Sequence, residues 1–242
     1  MWLIADYEPV TLFSLRQSTA TASGGKTLLS PTPFVVKMAL LDACCRVQGL
    51  EQAKAQWPMI RDLTVAMKPS TYAVVSNLFQ KILRPRRKDP KKKQDMTQPD
   101  AGPFQKNIGY REYVHFSGQF QIALGWHEIQ GRPWLEELLL NINYFGRRGG
   151  FFQLIPPPIY QEELPSDLTI VNDEQLAFSI QGTLQIMDDC SNKLTFEQVD
   201  IYSDKGITIG KDRLLRHIVV PYKIERSSRS YTLYQRIDEV SG

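Results

Sequence analysis

Residues 30–45, Ser-Pro-Thr-Pro-Phe-Val-Val-Lys-Met-Ala-Leu-Leu-Asp-Ala-Cys-Cys, predict a capped helix that follows a loop. Thr32 is of a type that caps helix N-termini, and Pro33 suits the first helical position. Gly49 is a typical residue at which such a helix stops. The large side chains that recur at helical spacing are Phe34, Met38, Leu41 and Cys45.

Strands are predicted on both sides of this helix. Residues 2–15 are rich in β-branched and aromatic types, and residues 60–68 are expected to form a second strand. A similar unit follows, because residues 111–124 alternate polar and apolar as one long strand or a strand pair, Pro133 opens a helix, and residues 151–155 suit a short strand. Two such units in tandem predict an α+β, ferredoxin-like (RRM-like) fold, with helices on one face of an antiparallel sheet.

The rest of the chain departs from this pattern. Residues 72–83 are structured but fit helix and strand equally, and residues 84–108 predict a flexible basic insertion. The ferredoxin-like domain is expected to span residues 1–155, and residues 156–242 a β-rich extension that either stands apart or completes the first sheet. Its predicted strands are 176–187, 194–202, 207–209, 217–226 and 230–236.

Composition excludes several classes of protein. Hydrophobic residues make up 42% of the 242 residues, enough for a packed core, and no apolar run approaches the roughly 18 residues of a membrane span. The acidic N-terminus does not resemble a signal peptide, so we expect a cytoplasmic protein with no membrane partner. The three cysteines and three histidines lack zinc-ligand spacing, so neither a metal nor a cofactor is expected.

The letters Gly-Gly-Lys-Thr at residues 24–27 invite comparison with a phosphate-binding loop. That loop requires an earlier glycine, five residues before the second one, where this chain has Ala20. Prolines at positions 31 and 33 also prevent a helix from starting directly after Lys26. The sequence therefore argues against a nucleotide hydrolase, while Lys26 and the amides of Gly24 and Gly25 are expected to meet an RNA phosphate.

Positive charge is concentrated in residues 84–93, Arg-Pro-Arg-Arg-Lys-Asp-Pro-Lys-Lys-Lys. This block has a net charge of +6, which leaves −3 for the remainder because the whole chain carries +3. One interpretation is a solvated loop that only aids solubility. The other is an arm that neutralises the phosphates of a nucleic acid.

Enzymatic signals are weak. No Gly-x-Ser-x-Gly elbow occurs, and no cysteine has a nearby histidine to activate it. The acidic pair Asp188-Asp189 is expected at a turn tip. His115 lies on a predicted strand near Arg111 and Tyr113, and a Tyr/His/Lys trio for metal-free RNA cleavage stays open beside a purely structural histidine.

A glycine-rich loop, Gly146-Arg-Arg-Gly-Gly150, follows the second predicted helix. Glycines let a backbone approach a ligand closely, and Arg147 and Arg148 are able to grip phosphates. A helix C-cap followed by a tight turn explains the pattern equally well. Beside Arg111, Tyr113 and Tyr110 offer rings on which RNA bases can stack.

In this order and spacing, the motifs resemble those of the Cas-five family of CRISPR type I effector complexes (Cascade), within the repeat-associated RNA-binding superfamily. The resemblance rests on the Gly/Ser-rich loop leading into residues 30–41, on Asn77-Leu-Phe-Gln-Lys-Ile-Leu83, on Arg111-Glu-Tyr-Val and on Phe-Gly-Arg-Arg-Gly-Gly150. It covers about the first 155 residues.

The resemblance implies a modified ferredoxin-like domain with an inserted basic β-hairpin thumb. It also implies a non-catalytic subunit of an RNA-guided surveillance complex that binds the 5′ handle of the guide RNA (crRNA) and caps a filament of Cas-seven-type backbone subunits. A large effector subunit and target DNA are further expected partners, and base pairing of the guide reads the target sequence.

Two alternatives stay open at this point. One is a metal-independent endoribonuclease that processes the guide-RNA precursor, and the other is a protein-interaction scaffold whose basic arm meets an acidic partner. The residues expected to bind RNA are Arg16, Gly24, Gly25, Lys26, Arg84, Arg86, Arg87, Lys88, Lys91, Lys92, Lys93, Arg111, Tyr113, Arg147 and Arg148.

Overall fold

A computed structural model of the chain describes residues 1–20, 26–85, 103–172 and 181–237. The helices are α1 (Pro33–Val47), α2 (Leu50–Arg61), α3 (Pro133–Leu140) and α4 (Phe196–Val199). The strands are β1 (Trp2–Pro9), β2 (Thr64–Lys68), β3 (Tyr72–Pro85), β4 (Phe104–Phe116), β5 (Phe120–Gly125), β6 (Phe152–Leu154), β7 (Ile159–Gln161), β8 (Thr169–Ile170), β9 (Thr183–Cys190), β10 (Arg213–Val220), β11 (Tyr222–Ser227) and β12 (Tyr231–Arg236). The fold is mixed, with antiparallel sheets and few helices.

The first sheet, called the main sheet below, has the strand order β6-β1-β5-β2-β8, and β7 also pairs with β1. All described pairs of neighbouring strands in this sheet are antiparallel. Alternation along β1 sends Leu3, Ala5 and Tyr7 into the large core that the helices cover. Ile4 faces the opposite way, into a small cluster with Leu168. The middle of the main sheet is therefore buried on both faces.

Helix α1 begins as the sequence predicts. The Thr32 Oγ1 atom accepts a hydrogen bond of 3.2 Å from the Val35 amide, and Pro33 occupies the first helical turn. The sequence predicts one helix between the first two strands, but the structure has two, and the second covers the first two residues of the strand predicted at 60–68. Gly49, at φ 87°, ends α1 but also caps α2, which carries Pro58 inside it and buries Trp57 and Ile60.

The second sheet, called the hairpin sheet below, has the order β11-β12-β3-β4. Residues 72–83 are strand, and β3 pairs with β4 from Ala73 opposite Phe116 to Pro85 opposite Phe104. The ends of the predicted insertion, residues 84–85 and 104–108, thus lie in strands. Residue 103 is a bend, and residues 86–102 lie outside the described part of the chain.

The C-terminal third contributes strands to both sheets and also forms the two-stranded pair β9-β10. The predicted strand at 194–202 is wrong, because Thr195 opens the short helix α4 with a capping box. The predicted strand at 207–209 is reduced to an isolated bridge between Ile209 and Arg213. The predicted strand at 217–226 is divided between β10 and β11 at Pro221, whereas β12 confirms the strand at 230–236.

The acidic pair Asp188-Asp189 does not form the predicted turn tip. Both residues lie in β9 and are buried. Lys37 of α1, itself only 1% exposed, places Nζ 2.6 Å from Asp189 Oδ1, and Arg213 of β10 pairs with Asp188. The Arg213 guanidinium also lies 4.0 Å from the centre of the Phe34 ring. Buried acids are stable here because each has a cationic partner.

Candidate nucleic-acid interface

One short segment, residues 11–16, connects three of the sequence motifs. It leaves the end of β1 and runs along the free side of β4, where Phe13 and Val114 exchange backbone hydrogen bonds of 3.1 and 2.7 Å. The same segment contacts the Lys26 loop and the Gly146–Gly150 loop, as described next. The tertiary fold therefore gathers motifs that are up to about 130 residues apart in the chain.

The Lys26 loop closes on this segment through Thr27. The Leu15 amide donates to Thr27 Oγ1 at 3.0 Å, and the Leu28 amide donates to the Leu15 carbonyl at 2.7 Å. Arg16 forms a β-bridge with Thr27 and is half-buried, while Lys26 is exposed. Two of the predicted cations, Arg16 and Lys26, thus lie at the two ends of one closed loop.

Thr27 also explains why Gly-Gly-Lys-Thr does not act as a nucleotide-hydrolase loop. Its amide donates to Glu112 Oε2 at 2.7 Å, and its hydroxyl is occupied by Leu15. In a P-loop, that hydroxyl would hold Mg²⁺ and nearby amides would cradle phosphates. Gly24 and Gly25 lie outside the described residues, so their predicted role stays a prediction.

The glycine-rich loop packs on the other side of the 11–16 segment. Gly146 has φ 75°, and a Cβ there would lie 2.7 Å from Leu15 Cδ2, so a larger residue would strain this contact. Thr11 Oγ1 donates to the Gly149 carbonyl at 2.7 Å and accepts from the Phe151 amide at 2.9 Å. The loop is therefore a tight turn fixed against the segment, and it leaves Arg147 and Arg148 exposed.

Arg148 lines a shallow cavity of about 210 Å³ between this loop and α1. Its cationic neighbour, Arg46, is held by Asp42 at 3.0 Å and donates to the Asn141 carbonyl at 2.8 Å. The other lining residues are Asn143, Tyr144 and Phe151. Cations and aromatic rings meet here, but Asp42 reduces the net positive charge.

A polar chain joins the Lys26 loop to the hairpin sheet. Glu112, buried in β4, accepts from Thr27 through Oε2 and from the Tyr110 hydroxyl through Oε1 at 2.9 Å. That hydroxyl also lies 2.9 Å from Asn77 Oδ1, and the Asn77 side-chain amide donates to the Arg229 carbonyl at 3.0 Å. The chain fixes the loop, β3, β4 and the β11-β12 turn relative to one another.

The predicted residues of the hairpin lie on the opposite face. Because side chains alternate along a strand, Arg111 and Tyr113 face away from Glu112, as does exposed His115. Arg84 has the same parity on β3, where it pairs with Gln105. The described candidates of the hairpin thus share the face opposite Glu112, whereas Glu112 itself holds the loop that carries Lys26. The candidates Arg86, Arg87, Lys88, Lys91, Lys92 and Lys93 lie outside the described residues.

Sequence reasoning missed the residues that organise the site. Glu112 and Asn77 lie inside two of the motifs quoted above, but neither residue is basic or aromatic. The sequence does mark Glu112 as unusual, because it is the one acidic residue in the alternating stretch 111–124. Its burial depends on Thr27, which is 85 residues away in the chain.

Two of the three cysteines, both outside this interface, are poor nucleophiles. Burial raises the pKa of Cys44 to about 11 and that of Cys190 to about 12, so both thiols stay protonated at neutral pH. Burial, and then the hydrogen bond to Glu112, raise the pKa of Tyr110 to about 12.

Within the described residues, no group of three His, Cys, Asp or Glu side chains is arranged to hold a metal ion. No helix of the same residues is long and apolar enough to cross a membrane.

No family model matches the chain, but comparison with known proteins finds similar sequences and structures among CRISPR proteins. A protein named CRISPR-associated protein Cas5, from Archaeoglobus fulgidus, is 23% identical over 206 residues, which are 81% of this chain and 82% of that protein. The crystal structure of a CRISPR protein from Archaeoglobus fulgidus has a TM-score of 0.50 and 12% identity over 98% of this chain and 92% of that one. A chain of a CRISPR RNA-guided surveillance complex has a TM-score of 0.44 and 16% identity over 90% of both chains.

The sequence similarity extends well beyond the N-terminal motifs, and the structural similarity covers nearly the whole chain. The resemblance predicted from the motifs is therefore confirmed: this chain is similar to Cas5, and its fold is that of a CRISPR protein.

Proposed function

We propose that this chain is a non-catalytic subunit of a CRISPR type I RNA-guided complex, in which it binds the 5′ handle of the guide RNA and caps the backbone filament. The observation that carries the proposal is that the Lys26 loop and the glycine-rich loop both contact residues 11–16, the segment that ends at Arg16, at the base of the hairpin. The similarity to Cas5 supports the same assignment.

The chemistry of this convergence suits RNA. Single-stranded RNA is bound through phosphate contacts and through bases stacked on aromatic rings. Lys26 and Arg147 are exposed cations on two loops that both contact residues 11–16. The hairpin presents Phe79 and Tyr110 as a ring pair on the face where Glu112 holds the Lys26 loop. The basic residues 86–93 adjoin the distal end of β3 in sequence and add phosphate contacts in this proposal.

The proposal includes a ferredoxin-like core. In chain order, β1, β2, β5 and β6 form an antiparallel sheet in which β6-β1-β5-β2 are neighbours. Helices α1 and α2 connect β1 to β2, and α3 connects β5 to β6, which supports a split strand–helix–strand arrangement repeated twice. The hairpin β3-β4 is then an insertion between the two units, as a thumb requires.

The wider assembly follows from the same assignment. Cas-seven-type backbone subunits and a large effector subunit are the proposed protein partners, and target DNA reaches the chain through the guide. Residues 1–155 form the RNA-binding domain in this proposal, and residues 156–242 its β-rich extension.

The binding proposal is tested by the salt dependence of affinity for a 5′-handle RNA. Replacing Lys91, Lys92 and Lys93 by Gln is expected to lower the slope of log K against log salt by about 2, because each phosphate contact to a single strand contributes about 0.7. A matched control replaces three exposed lysines elsewhere, Lys54, Lys205 and Lys211, and is expected to leave the slope unchanged. Equal slopes for both triple variants and the wild type would show that the basic arm does not contact RNA phosphates.

The non-catalytic part of the proposal is tested separately. The pure chain is incubated with repeat RNA in the presence of a chelator, and intact RNA is the expected result. Defined cleavage that disappears in His115→Ala would instead assign guide processing to this chain.

A further inference from the structure

The hairpin face that carries Glu112 has an unusual pattern of side chains beyond the core. Successive cross-strand pairs on this face are Phe79 with Tyr110, Lys81 with Ile108, and Leu83 with Lys106. Apolar or aromatic side chains thus alternate with lysines along one surface. These side chains are not packed into the core, since Phe79, Leu83 and Ile108 are all more than 60% exposed.

The first of these pairs forms a fixed platform. The ring centres of Phe79 and Tyr110 are 5.1 Å apart, and the rings are tilted by 54°. The Tyr110 hydroxyl is held by Glu112 and Asn77, which orients its ring from behind. Phe79 leans on that ring and is 68% exposed, so an aromatic surface is presented to solvent without a large loss of side-chain entropy on binding.

The same carboxylate also anchors a loop that carries a cation. Glu112 accepts from Tyr110 through one oxygen and from the Thr27 amide through the other. Lys26, the residue before Thr27, is exposed. An aromatic surface and a lysine are therefore connected by one buried acid.

We propose that Phe79 and Tyr110 form a stacking platform for one unpaired base of the bound RNA, and that Lys26 meets a phosphate next to that base. The inference rests on the proposed function, and it adds Phe79 to Tyr110, which the sequence already offers as a stacking ring. Single-stranded nucleic acid is bound by stacked aromatic rings in a basic groove. A protein partner fits less well, because lysine is depleted from the cores of protein–protein interfaces whereas Lys81 and Lys106 interrupt this surface.

The test compares variants of the full-length chain for binding to a 5′-handle RNA. Phe79→Ala is expected to weaken binding roughly 5- to 150-fold, the range for loss of one stacked base. Its salt slope is expected to equal that of the wild type, because no charge is lost. Phe79→Tyr keeps a ring and is expected to bind as the wild type does.

The matched control is Leu184→Ala. Leu184 is an apolar strand residue of similar exposure, 62%, on the two-stranded sheet β9-β10. It is expected to change neither the affinity nor the salt slope, since it lies on a separate sheet. Circular dichroism of each variant checks that the exposed substitutions leave the fold intact.

A second experiment identifies the stacked nucleotide. A set of handle RNAs, each with one abasic position, is measured with the wild type and with Phe79→Ala. At one position, base removal is expected to weaken the wild type and to have little further effect on the variant. If every abasic RNA weakens both proteins equally, or if Phe79→Ala binds intact RNA normally, the platform is wrong while the proposed function stands. If the wild type itself does not bind the handle, the proposed function fails, and the platform fails with it.

Discussion

Glu112 is the residue on which the candidate site most depends. A buried carboxylate beneath a loop of proposed RNA-binding cations is unexpected, because its charge opposes phosphate. Its two oxygens satisfy the Thr27 amide and the Tyr110 hydroxyl, at 2.7 and 2.9 Å. Its role is therefore to position the loop against β4, and Lys26 faces solvent as a result.

Removing this acceptor is expected to loosen the loop. Glu112→Ala leaves the Thr27 amide without its acceptor and the Tyr110 hydroxyl with Asn77 Oδ1 alone, and it should destabilise the fold by about 1–3 kcal/mol. Glu112→Gln keeps an acceptor oxygen and should cost less. Urea unfolding gives the stability, and hydrogen exchange of the Thr27 amide reports on the loop. An amide that exchanges equally slowly in Glu112→Ala and the wild type would contradict the positioning role.

The pKa of Tyr110 gives an independent check of the same contact. Burial and Glu112 raise the pKa to about 12, above the unfolded value near 10. The resulting contribution to stability is complete below pH 10 and is lost as pH rises through about 12. Glu112→Gln should lower the Tyr110 pKa part of the way, since burial remains. In ¹³C NMR titrations, Tyr222, whose pKa is raised mainly by burial, should stay unchanged as the control.

At the scale of elements, the starts of helices were predicted correctly where the sequence has a residue typical of a helix N-terminus. Thr32 caps α1, and Pro133 opens α3, both as the sequence predicts. Helix α2 was missed because Gly49 marks a helix end and Pro58 disfavours a helix interior. Burial of Trp57 and Ile60 in the core outweighs that local penalty, and such packing is not visible in a local pattern.

The cap of α1 provides a measurable prediction. Thr32→Ala removes the oxygen that accepts from the Val35 amide and is expected to cost about 1 kcal/mol of unfolding free energy. Thr32→Ser retains the oxygen and should recover most of this loss. Chemical denaturation of the two variants checks the difference. Equal stabilities would mean that the buried methyl group of Thr32, rather than its hydroxyl, supports the helix start.

At the scale of the whole molecule, a buried ion pair connects α1 to the C-terminal third. Lys37 contacts Asp189, whose second oxygen accepts from the Asn172 side chain at 3.1 Å. Removing one partner leaves an uncompensated buried charge, so Lys37→Met and Asp189→Asn should each cost about 3–5 kcal/mol. The double variant should cost less than the two losses combined, by about 0.5–3 kcal/mol. Strict additivity in urea unfolding would show that the pair is not coupled.

These long-range contacts also define what the sequence could not predict. Lys37 and Asp189 are 152 residues apart, and Thr27 and Glu112 are 85 residues apart. The acidic pair was expected at a turn because two neighbouring aspartates are usually solvated. The motifs of the interface were found, but the contact of the Lys26 loop with Glu112, on the face opposite Arg111, depends on tertiary packing that a single sequence does not specify.

The pairing of β3 makes the outer part of the hairpin easier to bend than its base. Strand β12 supports β3 only from Tyr72 to Ser76, and in the described residues the outer part of β3 pairs with β4 alone. A two-stranded ribbon twists and bends more readily than a four-stranded sheet. Bending is therefore expected to begin at Asn77, whose backbone amide donates to the Ser230 carbonyl at 2.8 Å. Tyr110 and Glu112 lie close to this point, so bending of the described outer part of β3 and β4 would act on the contacts that hold the Lys26 loop.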